Sequence, residues 1–167
     1  MRSFLLSLVN RIVHCLPSTR FFGIKRYLYR LCGAKIGKNV RICSSATIIG
    51  DSSLVIADDV WIGHETMIVA SAPVIIDAYV NIAPRCYIGT GTHLIDPYGN
   101  TIAGKGVSLP IHIKEGAWLC THSVVLAGVT VGKKSITAAG AVVCKPVPDG
   151  EMWGGVPAKR IRVLSIE

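Results

Sequence analysis

The sequence predicts a mainly β chain: a parallel β-helix with a short helical segment in front and one protruding loop. Two regularities and one break predict it. Residues 113–148 repeat every six positions: Ile113, Leu119, Val125, Val131 and Val143 are apolar, and Thr137 is the one interruption. The same rule governs 36–47, 56–73 and 76–93; of 14 hexads, 13 begin with an aliphatic residue, and all 14 carry Ala, Cys, Ser, Thr or Val four places on. The break is the Gly-rich stretch after Thr92, beyond which the hexads resume at Ile113. An α-helix needs apolar spacings of three and four, and a half-buried strand alternates every two, so a strict period of six fits only short strands wound into coils. In such a coil the first residue of each hexad fills the narrow interior. The fifth faces a tight corner where long side chains do not fit. Glycines such as Gly116 and Gly128 fall where turns favour a permissive backbone.

Residues 1–32 form a separate basic, amphipathic helical segment. Phe4, Leu5, Leu8, Val9, Ile12, Val13 and Leu16 follow helical spacing as one apolar stripe, and Pro17 ends the helix. A second short helix is predicted over about 20–32, with Ile24, Leu28 and Leu31 on one side and Gly33 as its C-terminal cap. Residues 1–41 hold nine Lys or Arg and no Asp or Glu, so the whole net charge of +8 originates there. Two roles fit equally: peripheral contact with an anionic membrane surface, or a cap on the open end of the β-helix or between subunits. Nucleic acid is disfavoured, because no recognition motif accompanies the charge.

The β-helix domain spans 33–150, with the loop at about 94–112, and residues 151–167 form a C-terminal tail. A chain of 167 residues, 50% hydrophobic, is long enough for one domain with its own core. It has no run of about 18 apolar residues, as a membrane span needs, and no signal-peptide pattern at its start. Its six cysteines are scattered with no CxxC pair. They are read as reduced thiols of a cytoplasmic protein, and no metal site is expected. A solenoid alone names no function, but a polar, Gly-rich excursion from one must lie outside it, where functional residues concentrate. His93 sits where that loop leaves the last regular hexad.

The hexads, the Gly91-Thr92-His93 entry to the loop, the stretch Ile113–Trp118–Val131 and the tail Gly154-Gly155-Val156-Pro157-Ala158-Lys159-Arg160-Ile161-Arg162 resemble the hexapeptide-repeat acyltransferases. Within these they look most like the galactoside and maltose acetyltransferases and the sugar O-acetyltransferases of surface polysaccharide synthesis. The resemblance covers about residues 33–163. It implies a left-handed parallel β-helix, a homotrimer, and acetyl-CoA in the groove between subunits. It also implies a loop reaching the adjacent subunit, with His93 in the place of the family's general base.

That resemblance leads to a candidate site. Gly128, Ala139, Gly140 and Ala141 offer small side chains past which pantetheine can run. Lys145, which matches a family lysine, and Lys159, Arg160 and Arg162 suit the CoA phosphates. Trp153 stacks near the adenine or covers the coil end. Trp118 and His64 are candidates for the acceptor side. Asp96 either binds an acceptor hydroxyl, orients His93, or caps the turn before Pro97. The implied activity is acetyl-CoA-dependent O-acetylation of a sugar hydroxyl on a capsule, exopolysaccharide or O-antigen intermediate, with a sugar or a lipid-linked saccharide as acceptor. The alternatives are acetylation of an antibiotic hydroxyl, and a non-catalytic or metal-dependent β-helix. His64, His93 and His122 are spaced 29 apart like a shared ligand set, but 29 is not a multiple of six.

Overall fold

The computed structural model describes residue 1 and residues 3–164. The hexads wind into a parallel β-helix of triangular section. Its first face stacks Lys35–Ile36, Leu54–Ile56, Val74–Ile76, Ile111–Ile113 and Thr130–Val131. The second stacks Arg41–Ile42, Trp61–Ile62, Asn81–Ile82, Trp118–Leu119 and Ile136–Thr137, then Glu151–Gly154 and, antiparallel to it, Lys159–Val163. The third stacks Thr47–Ile49, Met67–Val69, Tyr87–Gly89, Val124–Val125 and Val142–Val143.

The first residue of each hexad is buried in the prism, from Ile36 to Val143, as the packing argument requires. Thr137, the polar interruption, donates its hydroxyl to Ser123 Oγ at 3.1 Å, which offsets the cost of its burial. Ile48, six residues after Ile42 and also buried, heads the third hexad of the first coil, which the count over 36–47 stops short of. Ile36 pairs with Ile56 and Ile56 with Ile76, twenty residues apart instead of the eighteen that separate Ile113 from Val131. The extra residues fall at the corner between the third and first faces.

The same corner ejects the excursion. It is a β-hairpin of Gly91–Ile95 and Ala103–Ser108, so it begins three residues before the predicted loop and ends before 112. Thr92, assigned to the fifth position of a hexad, is instead exposed on this hairpin, and buried Thr90 holds the corner.

The N-terminal segment makes two helices, α1 (Ser3–His14) and α2 (Phe22–Leu31), with Gly33 just past the second at a positive φ of 96°. They share the coil's core through Leu6, Val9, Val13, Tyr29 and Cys32. The predicted single stripe is divided. Val9 and Val13 face the coil, together with Leu6 from outside the stripe, whereas Phe4, Leu8 and Ile12 are exposed.

The helices complete the open end of the prism. Backbone N–H groups of the first coil donate onward to carbonyls of the second, for example Gly37 to Ile56 and Arg41 to Val60. The equivalent first-coil carbonyls have no preceding coil to satisfy them. Side chains of the helices do so instead. Arg30 donates to the Ile36 carbonyl, Arg26 to Val40 at 2.9 Å and Lys25 to Ile42 at 3.2 Å. His14 Nε2–H donates to Ala46 at 3.3 Å and Asn10 to Ile48 at 2.7 Å. Buried carbonyls left unpaired would each cost about 1–3 kcal/mol. Three of the basic residues noted in the sequence therefore serve as hydrogen-bond donors to the coil end.

Candidate functional site

The hairpin base is fixed by Thr90. Its hydroxyl accepts the N–H groups of Ser71 and Ala72 at 2.9 and 3.0 Å and donates to the Val69 carbonyl at 2.9 Å. The Leu109 N–H closes the base on the Thr90 carbonyl. Leu109 packs over Gly128, where a Cβ would stand 3.2 Å from its side chain. Gly128 is thus a seat for the hairpin, at a positive φ of 79°, and is not among the residues lining the tail cavity described below.

His93 lies opposite Gly106 and is exposed. Its Nδ1 is 2.8 Å from the Gly104 carbonyl oxygen. A carbonyl only accepts, so Nδ1 carries the proton, and the lone pair falls on Nε2. Asp96 does not orient the imidazole. Its carboxylate accepts the N–H groups of Tyr98 and Gly99 at 3.1 and 2.9 Å, so it caps the turn at the hairpin tip. Gly104 serves both features, because a Cβ there would meet Asp96 at 2.7 Å and the Leu94 carbonyl at 3.1 Å.

A second cluster occupies the corner between the second and third faces. His64 Nδ1 lies 3.2 Å from Ser45 Oγ, and Glu65 pairs with Arg85 at 2.7 Å. The Arg85 guanidinium holds the Glu65 carboxyl below the usual carboxylate range, and His64 and His122 add to that pull. His112 is apart from it, bonded to Asp77 at 2.9 Å. Among the described residues no group of three His, Cys, Asp or Glu side chains is placed to hold a metal ion. Trp118 projects from the second face between Asn81 and Ile136 and is half exposed.

The C-terminal tail builds a cavity of about 230 Å³ lined by Cys144, Lys145, Trp153, Pro157, Lys159 and Arg160 among others. Four of the predicted donor-binding residues are therefore brought together. Glu151 organises two of them. Its buried carboxylate accepts Trp153 Nε1–H at 2.7 Å and faces Arg160 at 3.4 Å. The sequence holds a signal for Glu151 that hexad counting missed: it alternates with Trp153 on a strand whose partner strand carries Arg160.

Other predicted donor-side residues lie elsewhere. Ala141 is fully buried at a fifth hexad position, so its side chain faces the coil interior and cannot touch a ligand. Ala139 and Gly140 are exposed on an outer corner, and the space beside Gly140 is open. Arg162 pairs with Met152 farther along the tail ladder, outside the cavity.

A hexad-built β-helix that ejects a histidine-bearing hairpin and ends in a cationic cavity has the architecture of an acyl-transfer enzyme. No family model matches the chain. WcaF of Escherichia coli, named a putative colanic acid biosynthesis acetyltransferase, is 35% identical over 138 residues, which span 83% of this chain and 74% of that protein. Galactoside O-acetyltransferase of E. coli is 29% identical over 134 residues, 79% of this chain and 64% of its own length. The fold matches that of a hexapeptide-repeat acetyltransferase of Vibrio cholerae complexed with acetyl-CoA, at a TM-score of 0.70, 24% identity, and coverage of 98% of this chain and 87% of that one. The chain belongs to the hexapeptide-repeat acetyltransferases, and it is an acyltransferase.

Proposed function

We propose that this enzyme transfers an acetyl group from acetyl-CoA to a sugar hydroxyl of a surface-polysaccharide intermediate, with His93 as general base. The observation that carries the assignment is the Gly104 carbonyl on His93 Nδ1, which leaves Nε2 free to accept a proton. A sugar hydroxyl is a weak nucleophile at neutral pH. Nε2 takes its proton as the oxygen attacks the thioester carbonyl. The tetrahedral intermediate collapses by breaking the C–S bond, and the thiolate of CoA leaves and takes the proton back from the imidazolium. Backbone N–H groups of the coil supply the donors for the transient oxyanion. The products are the acetyl ester and CoA, and no acyl-enzyme is needed.

The tail cavity supports the donor assignment. Lys145, Lys159 and Arg160 are three cations for phosphate oxygens, and Trp153 beside them presents an aromatic surface. Its volume is below the ~300–1,000 Å³ of pockets that enclose a drug-sized ligand, so it takes one end of acetyl-CoA and the rest extends along the surface. Packing into a homotrimer would line that extension with a neighbouring subunit and bring a hairpin toward it. His64 and Trp118 are assigned to the acceptor side. The similarity to WcaF favours a saccharide of an exopolysaccharide, carried as a sugar or on a lipid. The test is acetyl transfer to a panel of sugars, nucleotide sugars and polyprenyl-linked saccharides, followed by mass spectrometry. A mass increase of one acetyl group, lost in His93→Ala, is expected; transfer undiminished in that variant would overturn the role of His93.

A further inference from the structure

The inner faces of α1 and α2 are committed to the coil end, through Asn10, His14, Lys25, Arg26 and Arg30. Their outer faces are apolar, although solvent surrounds them. On α1, Phe4 is 87% exposed, and Leu8 and Ile12 follow it at spacings of four. On α2, Ile24, Tyr27 and Leu31 are each half exposed or more, spaced by three and four. A helix that buries one stripe and exposes a second apolar stripe is not explained by capping, which uses only the first. Both helices pack on the same end of the prism, α1 against Thr47–Ile49, α2 against Lys35–Ile36 and Arg41–Ile42, and the two against each other.

The helical segment itself carries charge of one sign, while the nearest acidic residues belong to the coil: Asp51 beside the Met1 amino group, and Asp59 in a cleft with Phe22 and Arg26. No Asp or Glu occurs among residues 1–41. Arg11 and Arg20 are exposed and have no ion-pair partner among the described residues. Exposed apolar and aromatic side chains on a segment rich in unpaired guanidinium groups suit an anionic bilayer surface. There the rings and aliphatic chains enter at headgroup depth and arginines meet phosphates. No described helix is long and apolar enough to cross a membrane, so the contact is peripheral.

We infer that the capped end of the β-helix is a docking face for an anionic lipid surface, with the helices performing both roles on opposite sides. Docking would place the prism axis across the membrane plane. The inference is independent of the chemistry of acetyl transfer.

The test is sedimentation of the full chain with vesicles of phosphatidylglycerol or of phosphatidylcholine, compared with Phe4→Ser/Leu8→Gln and Arg11→Gln/Arg20→Gln. These side chains are exposed, so both variants should keep the wild-type melting temperature and oligomeric state. The wild type should partition to phosphatidylglycerol at least about tenfold more than to phosphatidylcholine, and each double variant should lose about tenfold on phosphatidylglycerol. Equal partitioning of all three proteins would overturn the inference. So would a wild-type assembly that splits into smaller units on Phe4→Ser/Leu8→Gln, because the face would then be covered by a second copy of the chain.

Discussion

Lys25 is the clearest test of the end cap. It is fully buried, and its ammonium donates to the carbonyls of Pro17, Ser18 and Ile42 at 3.1, 2.8 and 3.2 Å. Lys25→Met keeps the aliphatic stem and removes all three bonds. The Ile42 carbonyl then loses its partner in a buried position, at about 1–3 kcal/mol, and the two part-buried carbonyls lose less because water can reach them. Against this stands the relief of a buried charge; burial already pushes the Lys25 ammonium below its ordinary pKa. The net expectation is a loss of about 1–3 kcal/mol, or about 3–10 °C in melting temperature for a chain of this size. Arg11→Met, on an exposed residue of α1, should change stability by less than about 0.5 kcal/mol. Thermal and urea unfolding followed by circular dichroism would measure both. If Lys25→Met were as stable as the wild type, or no worse than Arg11→Met, the helices would not be held to the coil by these carbonyls.

Three further outcomes follow from the site and its surroundings. Gly104→Ala forces a Cβ against Asp96 and the Leu94 carbonyl, so it should displace the carbonyl that holds His93. A fall in kcat of about tenfold with unchanged acetyl-CoA affinity is expected, because misplacement costs rate more than binding; an equal loss of affinity would point to a collapsed hairpin. Glu151→Gln frees Arg160 and weakens the hold on Trp153, so calorimetry should show acetyl-CoA binding about three- to tenfold weaker; tighter binding would mean Glu151 only neutralises the cavity. The Asp149 carboxylate accepts the Lys133 N–H and faces Lys114, which hold it below its ordinary value of 3.8. Its contribution to stability is present above that value and is lost as pH falls through the lowered one. Lowering the pH below 3.8 should therefore cost the wild type more stability than it costs Asp149→Asn, and parallel losses would contradict this.

The coil was legible because one constraint, a narrow prism, acts on every sixth residue. Where length varies at a corner the period slips: two extra residues follow the hexad of Ile48, and Thr92 falls by count in a coil it does not enter. The helices were legible as helices, but spacing merged two apolar faces of α1 into one. Only the positions of the coil carbonyls separate Val9 and Val13 from Phe4, Leu8 and Ile12. Charge showed that residues 1–41 are unusual without showing that Lys25, Arg26 and Arg30 are spent on backbone oxygens. At the tail, the family resemblance singles out Lys145, Trp153, Lys159 and Arg160 for the donor, and one cavity gathers them. Ala141 has the small side chain a pantetheine path needs, yet small residues in this repeat are equally demanded by the interior corners. The Gly104 carbonyl beside His93 is a tertiary contact across a hairpin, and no spacing announces it.

The most direct test of acetyl transfer at this site is calorimetric titration of the purified protein with acetyl-CoA, repeated on His93→Ala and on Lys145→Ala/Arg160→Ala. One molecule per chain is expected, with affinity kept in the first variant and reduced at least about tenfold in the second. Absence of binding at millimolar acetyl-CoA, or binding indifferent to Lys145 and Arg160, would contradict the assignment of the tail cavity to the donor.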